Sequence, residues 1–209
     1  MKNIIRSFLY FILPFLRTFS EVRMAFQNKI YFSQYIHFLL SKNKGIYWPV
    51  HKNSEVIHPE NIFVGKNSNI GTRPGCYIQG NGGLYFGNYV RIASNVGIIS
   101  GNHDLYDHSK HNVKPIYIDD YCWVGMNSVI MPGVKLGPRT IVGAGSVVTK
   151  SFPEGYCVIG GNPAKVIKNL DKSRFVPPVS KKEFYGFVPE NKFDAFSKTY
   201  LKGNLFFKG

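Results

Sequence analysis

Residues 118–148 read IDDYCWVGMNSVIMPGVKLGPRTIVGAGSVV, and an aliphatic side chain returns at every sixth position of this stretch. The recurring positions are Ile118, Val124, Ile130, Leu136, Val142 and Val148. A period of six fits neither the 3.6-residue turn of an α-helix nor the two-residue alternation of an ordinary strand. It is typical of a coil in which three short strands make one triangular turn of about 18 residues. The stretch therefore predicts stacked triangular coils.

The same period extends upstream from residue 64, with the recurring positions at Val64, Ile70, Cys76, Phe86, Ile92 and Ile98. Four residues after most of the recurring positions comes a small or β-branched residue, namely Ser68, Val90, Val96, Cys122, Ser128, Val134, Thr140 and Ser146. One residue after them comes a glycine in many units: Gly65, Gly71, Gly87, Gly125, Gly137 and Gly143. We expect the aliphatic residue to fill the interior, the small residue to lie beside it, and the glycine to turn each corner.

Two breaks interrupt the period. The first is a small insertion near Asn81–Gly83, and the second is a run of about fourteen residues between His103 and Ile118. Insertions in repeat proteins leave the coil as loops, often on the binding face. We therefore predict an external loop over residues 104–117.

The second break begins with the sequence SGNHDLYDHS, residues 100–109, which is rich in histidine and aspartate. The residues concerned, with the next histidine along the chain, are His103, Asp104, Asp107, His108 and His111. From the residues alone, this cluster fits a zinc site, a general base on a loop, or a polar turn.

The charge is concentrated at the two ends of the chain. The net charge is +14, of which residues 1–45 and 161–209 contribute +6 each and residues 46–160 only +2. Basic ends attract nucleic acid, anionic lipid or a phosphorylated cofactor, but no nucleic-acid-binding motif accompanies them, so we expect no nucleic-acid partner. The three cysteines are odd in number and have no CxxC spacing, which favours buried thiols in a reducing compartment, the cytoplasm.

The two ends lie outside the repeat. The uncharged run Phe8–Leu16 is too short to span a bilayer, and we predict two short helices over residues 3–41, with Pro14 kinking or ending the first. These helices either pack on the rest of the protein or attach it to a membrane surface. Residues 171–209 have no repeat and are rich in lysine and aromatic residues. We predict an N-terminal segment at 1–45, a repeat domain at 46–170 and an irregular extension at 171–209.

Residues 46–170 resemble the hexapeptide-repeat acyltransferases, which form left-handed parallel β-helices. The most specific part is Ile118–Lys168, which reads IDDYCWVGMNSVIMPGVKLGPRTIVGAGSVVTKSFPEGYCVIGGNPAKVIK. It looks like the maltose, galactoside and nodulation O-acetyltransferase branch, and more loosely like the enzymes that acetylate capsule and O-antigen sugars. The resemblance implies a mainly β protein, a homotrimer, and acetyl-CoA bound in a cleft between neighbouring coils.

The resemblance also implies the roles of residues. His103 takes the place of the general base, which removes the proton of a sugar hydroxyl without a covalent intermediate and without a metal. Asn102 and Asp104, beside it, are candidates for contacts with the acceptor. The positions that match acetyl-CoA contacts are Trp123, Met126, Ala144, Thr149, Lys150, Lys165 and Lys168. The last two are arginines in the maltose-type enzymes, and lysine supplies the charge without the two-pronged hydrogen bonding.

We therefore expect an acetyl-CoA-dependent O-acetyltransferase that acts on a carbohydrate hydroxyl. We expect the acceptor to be a surface-polysaccharide precursor at the inner face of the membrane. Three alternatives stay open at this point: an N-acetyltransferase on an amino-sugar nucleotide, a zinc enzyme like the gamma-class carbonic anhydrases, and a scaffold without catalysis. The carbonic anhydrases need a third histidine about two coils upstream, and residues 64–68 contain none.

Overall fold

The structure is a computed structural model of the 209-residue chain, and it describes residues 16, 19–20, 31–178, 180 and 182–202, without the side chain of Gln34. The predicted helices over residues 3–41 lie mostly outside this part of the chain. Within it, Phe32–Leu39 forms helix α1. None of the helices in the described ranges is long and apolar enough to cross a membrane.

Short strands make up most of the described chain. The first eight are β1 (Glu55–Ile57), β2 (Ile62–Val64), β3 (Tyr77–Gln79), β4 (Leu84–Phe86), β5 (Arg91–Ile92), β6 (Gly97–Ile99), β7 (Gly101–His103) and β8 (His111–Val113). The next eight are β9 (Ile116–Ile118), β10 (Trp123–Val124), β11 (Val129–Ile130), β12 (Lys135–Leu136), β13 (Ile141–Val142), β14 (Val147–Val148), β15 (Cys157–Gly161) and β16 (Ala164–Asn169). The C-terminal extension adds β17 (Phe184–Tyr185), β18 (Val188–Pro189) and helix α2 (Glu190–Tyr200).

These strands form three sheets that make the sides of a triangular prism. Sheet A has the order β1-β3-β6-β11-β14, sheet B has β12-β9-β4-β2, and sheet C has β16-β15-β13-β10-β5. The chain passes from sheet A to B to C and back to A, and the pairs within sheets are parallel except β15–β16. In the regular coils the paired residues are 18 positions apart, as for Trp123 and Ile141 or Val129 and Val147. The mainly β, coiled architecture expected from the period is confirmed.

The side chains that fill the interior of the prism are those that the six-residue period predicted. The recurring aliphatic positions from Val64 to Val148 are all buried, and so are the small residues four positions after them. Several of those small residues are hydroxylic, and they hydrogen-bond to corner carbonyls: Thr140 Oγ1 donates to Gly137 O at 2.7 Å, and Ser146 Oγ donates to Gly143 O at 2.6 Å. Each hydroxyl thus satisfies a buried backbone acceptor while it fills the corner.

The corners differ from the expectation that glycine turns the chain. Of the six glycines that follow a recurring position, only Gly71 has a positive φ. The residue with a positive φ lies three positions after the recurring aliphatic residue and is usually not glycine. These residues are Asn67, Tyr89, Asn95, Tyr121, Asn127 and Arg139. Glycine is needed for a different reason, because a Cβ on Gly125 would lie 2.7 Å from Ala144 N and Val142 O of the next coil. The glycine allows adjacent coils to approach, and an asparagine, tyrosine or arginine makes the turn.

Residues 182–202 of the C-terminal extension contain two strands and a helix, which corrects the expectation of an irregular segment for this part of it. Phe193 and Phe196 of α2 lie three residues apart on the helix, and their rings join the aromatic cluster around Tyr47. Phe193 also stacks on Tyr185 at 3.8 Å between ring centroids and contacts Phe63 of sheet B. The spacing of Phe193, Phe196 and Tyr200 places them on one apolar face of the helix. The lysines and acidic residues between them obscured this face in the sequence.

Residues 171–184 form a strap along the edge between sheets B and C, with 179 and 181 outside the described residues. The strap contacts the corner residues of successive coils. Its contacts are Lys172 with the Tyr156 ring, Phe175 with Tyr121 and Arg139, Glu183 with Tyr89, and Phe184 with Asn67. On this edge, the corner residues that make the left-handed turns therefore also hold the extension.

We expect Gly125→Ala to lower the free energy of unfolding by about 1–3 kcal/mol, because the added methyl collides with the backbone of the next coil. Gly143→Ala is the matched control: it occupies the same place one coil later, where the nearest atom to an added Cβ is Ile159 O at 3.4 Å. Denaturant unfolding at one protein concentration measures both. Equal losses of stability in the two variants would contradict the close-approach explanation.

Candidate functional site

The histidine cluster lies on a hairpin that leaves the prism at the edge between sheets A and B, the AB edge. Strands β7 and β8 pair antiparallel, with Asn102 opposite Asn112 and His103 opposite His111. The small insertion at 81–83 lies directly beneath, since Gly82 N–H donates to Ser100 Oγ at 2.9 Å. The two breaks in the period are therefore neighbours in space, and the insertion at 81–83 supports the base of the hairpin.

The ring of His103 is exposed and oriented by the backbone of the same hairpin. Its Nδ1 lies 2.8 Å from the carbonyl oxygen of His108. A carbonyl oxygen can only accept a hydrogen bond, so this contact places the proton of the neutral imidazole on Nδ1. Nε2 then carries the lone pair, which is the arrangement that a general base requires.

Asp104 shapes the turn that supplies this carbonyl. Its Oδ1 accepts hydrogen bonds from the N–H groups of Tyr106 at 2.9 Å and Asp107 at 3.1 Å, and Oδ2 accepts one from Asn112 Nδ2 at 2.9 Å. These bonds, first that from Tyr106 N–H, hold the pKa of the Asp104 carboxyl below its usual range. Its predicted role as an acceptor contact stays a prediction, since the structure gives the carboxylate partners within the hairpin.

Asp107 fixes the other half of the turn, and it does so with Ser109 and Lys110. The Ser109 hydroxyl donates to Asp107 Oδ1 at 2.6 Å, and Lys110 Nζ lies 3.0 Å from Oδ2. The rings of His103 and His111 are close, with centroids 4.4 Å apart, whereas that of His108 is 6.2 Å from His103. Within the described ranges no group of three or more histidine, cysteine, aspartate or glutamate side chains is arranged to hold a metal ion.

The residues predicted to bind acetyl-CoA lie on different sides of the prism. Thr149 and Lys150 are exposed on the AB edge, the edge that carries the hairpin, two coils further along. Met126 and Ala144 lie on the edge between sheets C and A, the CA edge, in consecutive coils that Gly145 N–H joins to Met126 O at 2.8 Å.

The three remaining predicted residues lie on sheet C. Trp123 points outward from β10 and is 53% exposed. Lys165 and Lys168 are exposed on β16, the antiparallel strand at the end of this sheet. The predicted residues thus lie on the AB edge, on the CA edge and on sheet C, with sheet A between the two edges.

The corner at Ala144 fits an extended ligand that needs access to the backbone. A Cβ added to Gly145 would meet no atom within 4 Å, so the space beside this corner is open. Lysines occupy three of the predicted positions, and their positive charge is of the kind that attracts phosphates.

The three cysteines are buried and free, as their number and spacing indicated. Burial raises the pKa of Cys76 and Cys157, and it raises that of Cys122 to about 12. A thiol with such a pKa is protonated at neutral pH and is a poor nucleophile.

A cleft with a volume of about 710 Å³ lies on the outer surface of sheet C, and nothing in the sequence indicated it. The strap covers part of it with Val176, Pro177 and Pro178. Three arginines far apart in the sequence line it, namely Arg73, Arg91 and Arg139. The six-residue period could have predicted that Arg91 points outward from sheet C. The strap residues that cover the cleft, however, come from a segment without a repeat.

Comparison with known proteins identifies the class of the repeat. Residues 115–150 match the family model described as bacterial transferase hexapeptide (six repeats). A galactoside O-acetyltransferase from Lactococcus lactis is 33% identical over 123 residues, which cover 54% of this chain and 58% of the relative. The chain therefore spans little more than half of that relative's length. The resemblance to the hexapeptide-repeat acetyltransferases is confirmed.

Solved structures show the same likeness. A maltose O-acetyltransferase from Clostridium difficile superposes with a TM-score of 0.51 at 31% identity, over 58% of this chain and 65% of that one. AntD, an N-acyltransferase from Bacillus cereus, also gives 0.51, at 20% identity, over 68% of this chain and 89% of that one. At that lower identity the likeness concerns the fold alone.

We expect Asp104→Ala to loosen the turn of the hairpin, because three hydrogen bonds to one carboxylate are lost together. Backbone amides over residues 104–110 should exchange with solvent deuterium several-fold faster, with little change in the coils. Asp194→Ala, at an exposed position of helix α2, is the control. Unchanged exchange in the hairpin of Asp104→Ala would show that the carboxylate does not hold the turn.

Proposed function

We propose that this protein transfers an acetyl group from acetyl-CoA to a hydroxyl of a carbohydrate, with His103 as general base. The observation that carries the proposal is the contact of His103 Nδ1 with the His108 carbonyl, which leaves Nε2 exposed as a base. The identity of 33% to a galactoside O-acetyltransferase supports the reaction class.

His103 has two tasks in this reaction. Nε2 takes the proton of the acceptor hydroxyl as its oxygen forms a bond to the acetyl carbon. The resulting imidazolium then returns the proton to the thiolate that leaves when the carbon–sulfur bond breaks. The His108 carbonyl and the imidazolium attract each other, so the contact grows stronger when the ring is charged.

The acyl donor is proposed to lie along the residues matched to the family. Ala144 and the open space at Gly145 give access to backbone groups for the pantetheine amides. Trp123 flanks this arm and Met126 lies at the corner beside it. Thr149, Lys150, Lys165 and Lys168 are proposed to contact the nucleotide and its phosphates.

A homotrimer brings the AB and CA edges of neighbouring protomers together. Sheet A lies between the AB and CA edges, and its outward residues Gly97, Val129 and Val147 are small or apolar and in register. If three copies of a left-handed β-helix pack sheet A around a threefold axis, the AB edge of one protomer lies beside the CA edge of the next. His103 of one copy then faces Ala144 and Met126 of its neighbour across a groove.

The acceptor is proposed to be a surface-polysaccharide precursor at the cytoplasmic face of the membrane. The support is the net charge of +6 on residues 1–45, which favours attachment to anionic lipid.

Sedimentation with phosphatidylglycerol vesicles tests this attachment. The full chain should bind, and replacement of Lys2, Arg6 and Arg17 by glutamine should weaken binding, whereas equal partitioning of both proteins would refute it.

An amine on an amino-sugar nucleotide is the second candidate acceptor, because its attack uses the same base. Release of free coenzyme A, measured across amino-sugar nucleotides, free sugars and lipid-linked oligosaccharides, distinguishes the two. Turnover on hydroxyl acceptors alone supports the O-acetyltransferase.

We expect His103→Ala to lower kcat for acetyl transfer by about 10²- to 10⁴-fold, the usual contribution of a general base. His108→Ala should retain most of the activity, since His108 contributes its backbone carbonyl, which alanine preserves. Coenzyme A release measures both, and gel filtration checks that the oligomer persists. Similar losses in the two variants, with zinc bound stoichiometrically, would favour a metal site instead.

A further inference from the structure

The cleft on sheet C has the size and chemistry of a binding site. Arg91 and Trp123 are paired residues of adjacent strands, and both point outward from the sheet, as does Ile141 on the next strand. Their side chains form the floor, and Val176–Pro178 of the strap lies above it. A volume of about 710 Å³ falls within the usual range of small-molecule sites.

The charges around the cleft are of one sign. Arg73, Arg91 and Arg139 line it, and among the described residues that line it none has a carboxylate side chain. Arg91 is partly buried, and burial lowers its pKa. Three guanidinium groups around one cavity favour a ligand with several anionic oxygens.

The cleft also offers flat and apolar surfaces. The Trp123 indole is half exposed, and Val176 is 83% exposed where the strap passes over the cleft. The strap is held in place nearby, because the Arg139 guanidinium lies 4.1 Å from the centroid of the Phe175 ring. A ligand that joins a diphosphate to a ring or a hydrocarbon chain would match both kinds of surface.

We infer that this cleft binds the diphosphate of an activated sugar, carried on a nucleotide or on an isoprenoid lipid. The inference deepens the proposed function, on which it rests, by naming the class of the acceptor. The arginines hold the diphosphate, and Trp123 with the strap contacts the carrier.

The location distinguishes this site from that proposed for the acyl donor, although the two ligands share contact with Trp123. Of the seven residues matched to acetyl-CoA contacts, Trp123 alone lines the cleft. The cleft reaches the CA edge at Arg73 and Ala93, the edge that lies beside the neighbour's His103 in the proposed trimer. A sugar attached to the diphosphate can extend from the cleft toward that groove.

The test measures binding to the full-length protein through tryptophan fluorescence. The chain has two tryptophans, and Trp48 is fully buried with its Nε1 donating to Ile70 O, so Trp123 should report on the cleft. The probes are uridine diphosphate for a nucleotide carrier, geranyl diphosphate for a lipid carrier, and inorganic pyrophosphate for the anion alone. We expect one of the two carriers to bind more tightly than pyrophosphate, and this preference identifies the carrier.

Arg91→Gln should raise the dissociation constant of the preferred probe at least about tenfold, and Arg73→Gln, on an exposed corner, provides a second variant that leaves the strand intact. Arg174→Gln is the matched control, an exposed arginine of the strap that does not line the cleft. Thermal unfolding verifies that each variant is folded.

Binding that is absent, or that survives in both cleft variants, overturns the inference. Displacement of the probe by adenosine 3′,5′-diphosphate also overturns it, because the cleft would then belong to the acyl donor. These outcomes leave the proposed function untouched, since that depends on acetyl transfer by His103 and is measured separately.

Discussion

The stacking of one coil on the next is the constraint on which the rest of the structure depends. Backbone N–H groups of each coil donate to carbonyls of the following one, as Gly125 N does to Val142 O and Gly143 N to Ile159 O, both at 2.8 Å. At a corner such as Gly125 this approach leaves no space for a Cβ. The register then fixes every side chain either inside the prism or outside it, and the inside is filled by the recurring aliphatic residues.

Functional groups are consequently restricted to the outer faces, the edges and the insertions. The AB edge carries the hairpin with His103, where the regular coil is interrupted. The CA edge presents Ala144 and Gly145, where small residues leave the backbone accessible. The edge between sheets B and C is occupied by the strap, which contacts corner residues from Asn67 to Tyr156. Each edge therefore has a different task, although all three are built from the same six-residue unit.

The interior could be predicted from the sequence because it depends on a local period. Val64 and Val148 are 84 positions apart and obey the same spacing, and both are fully buried. The place of His103 followed from the family resemblance. The contact that orients its ring could not be predicted, because the partner of Nδ1 is a backbone carbonyl, and any residue at position 108 would supply one.

The features that could not be predicted are those made by distant segments. Glycine at the corners was expected to turn the chain, but its role depends on the backbone of the next coil. The position of α2 depends on aromatic contacts with residues such as Phe63, more than a hundred residues away in the sequence. The cleft combines arginines from three coils with the strap, and no local pattern of residues records that combination.

The central claim is that stacked coils place His103 of one protomer opposite the acyl-donor corner of another. A crystal structure of the protein with coenzyme A tests it most directly. The account predicts a trimer with the thiol in the groove between protomers, within hydrogen-bonding reach of Nε2 of His103, directly or through one water. Coenzyme A bound on a single protomer, with its thiol remote from every His103 imidazole, would contradict the account.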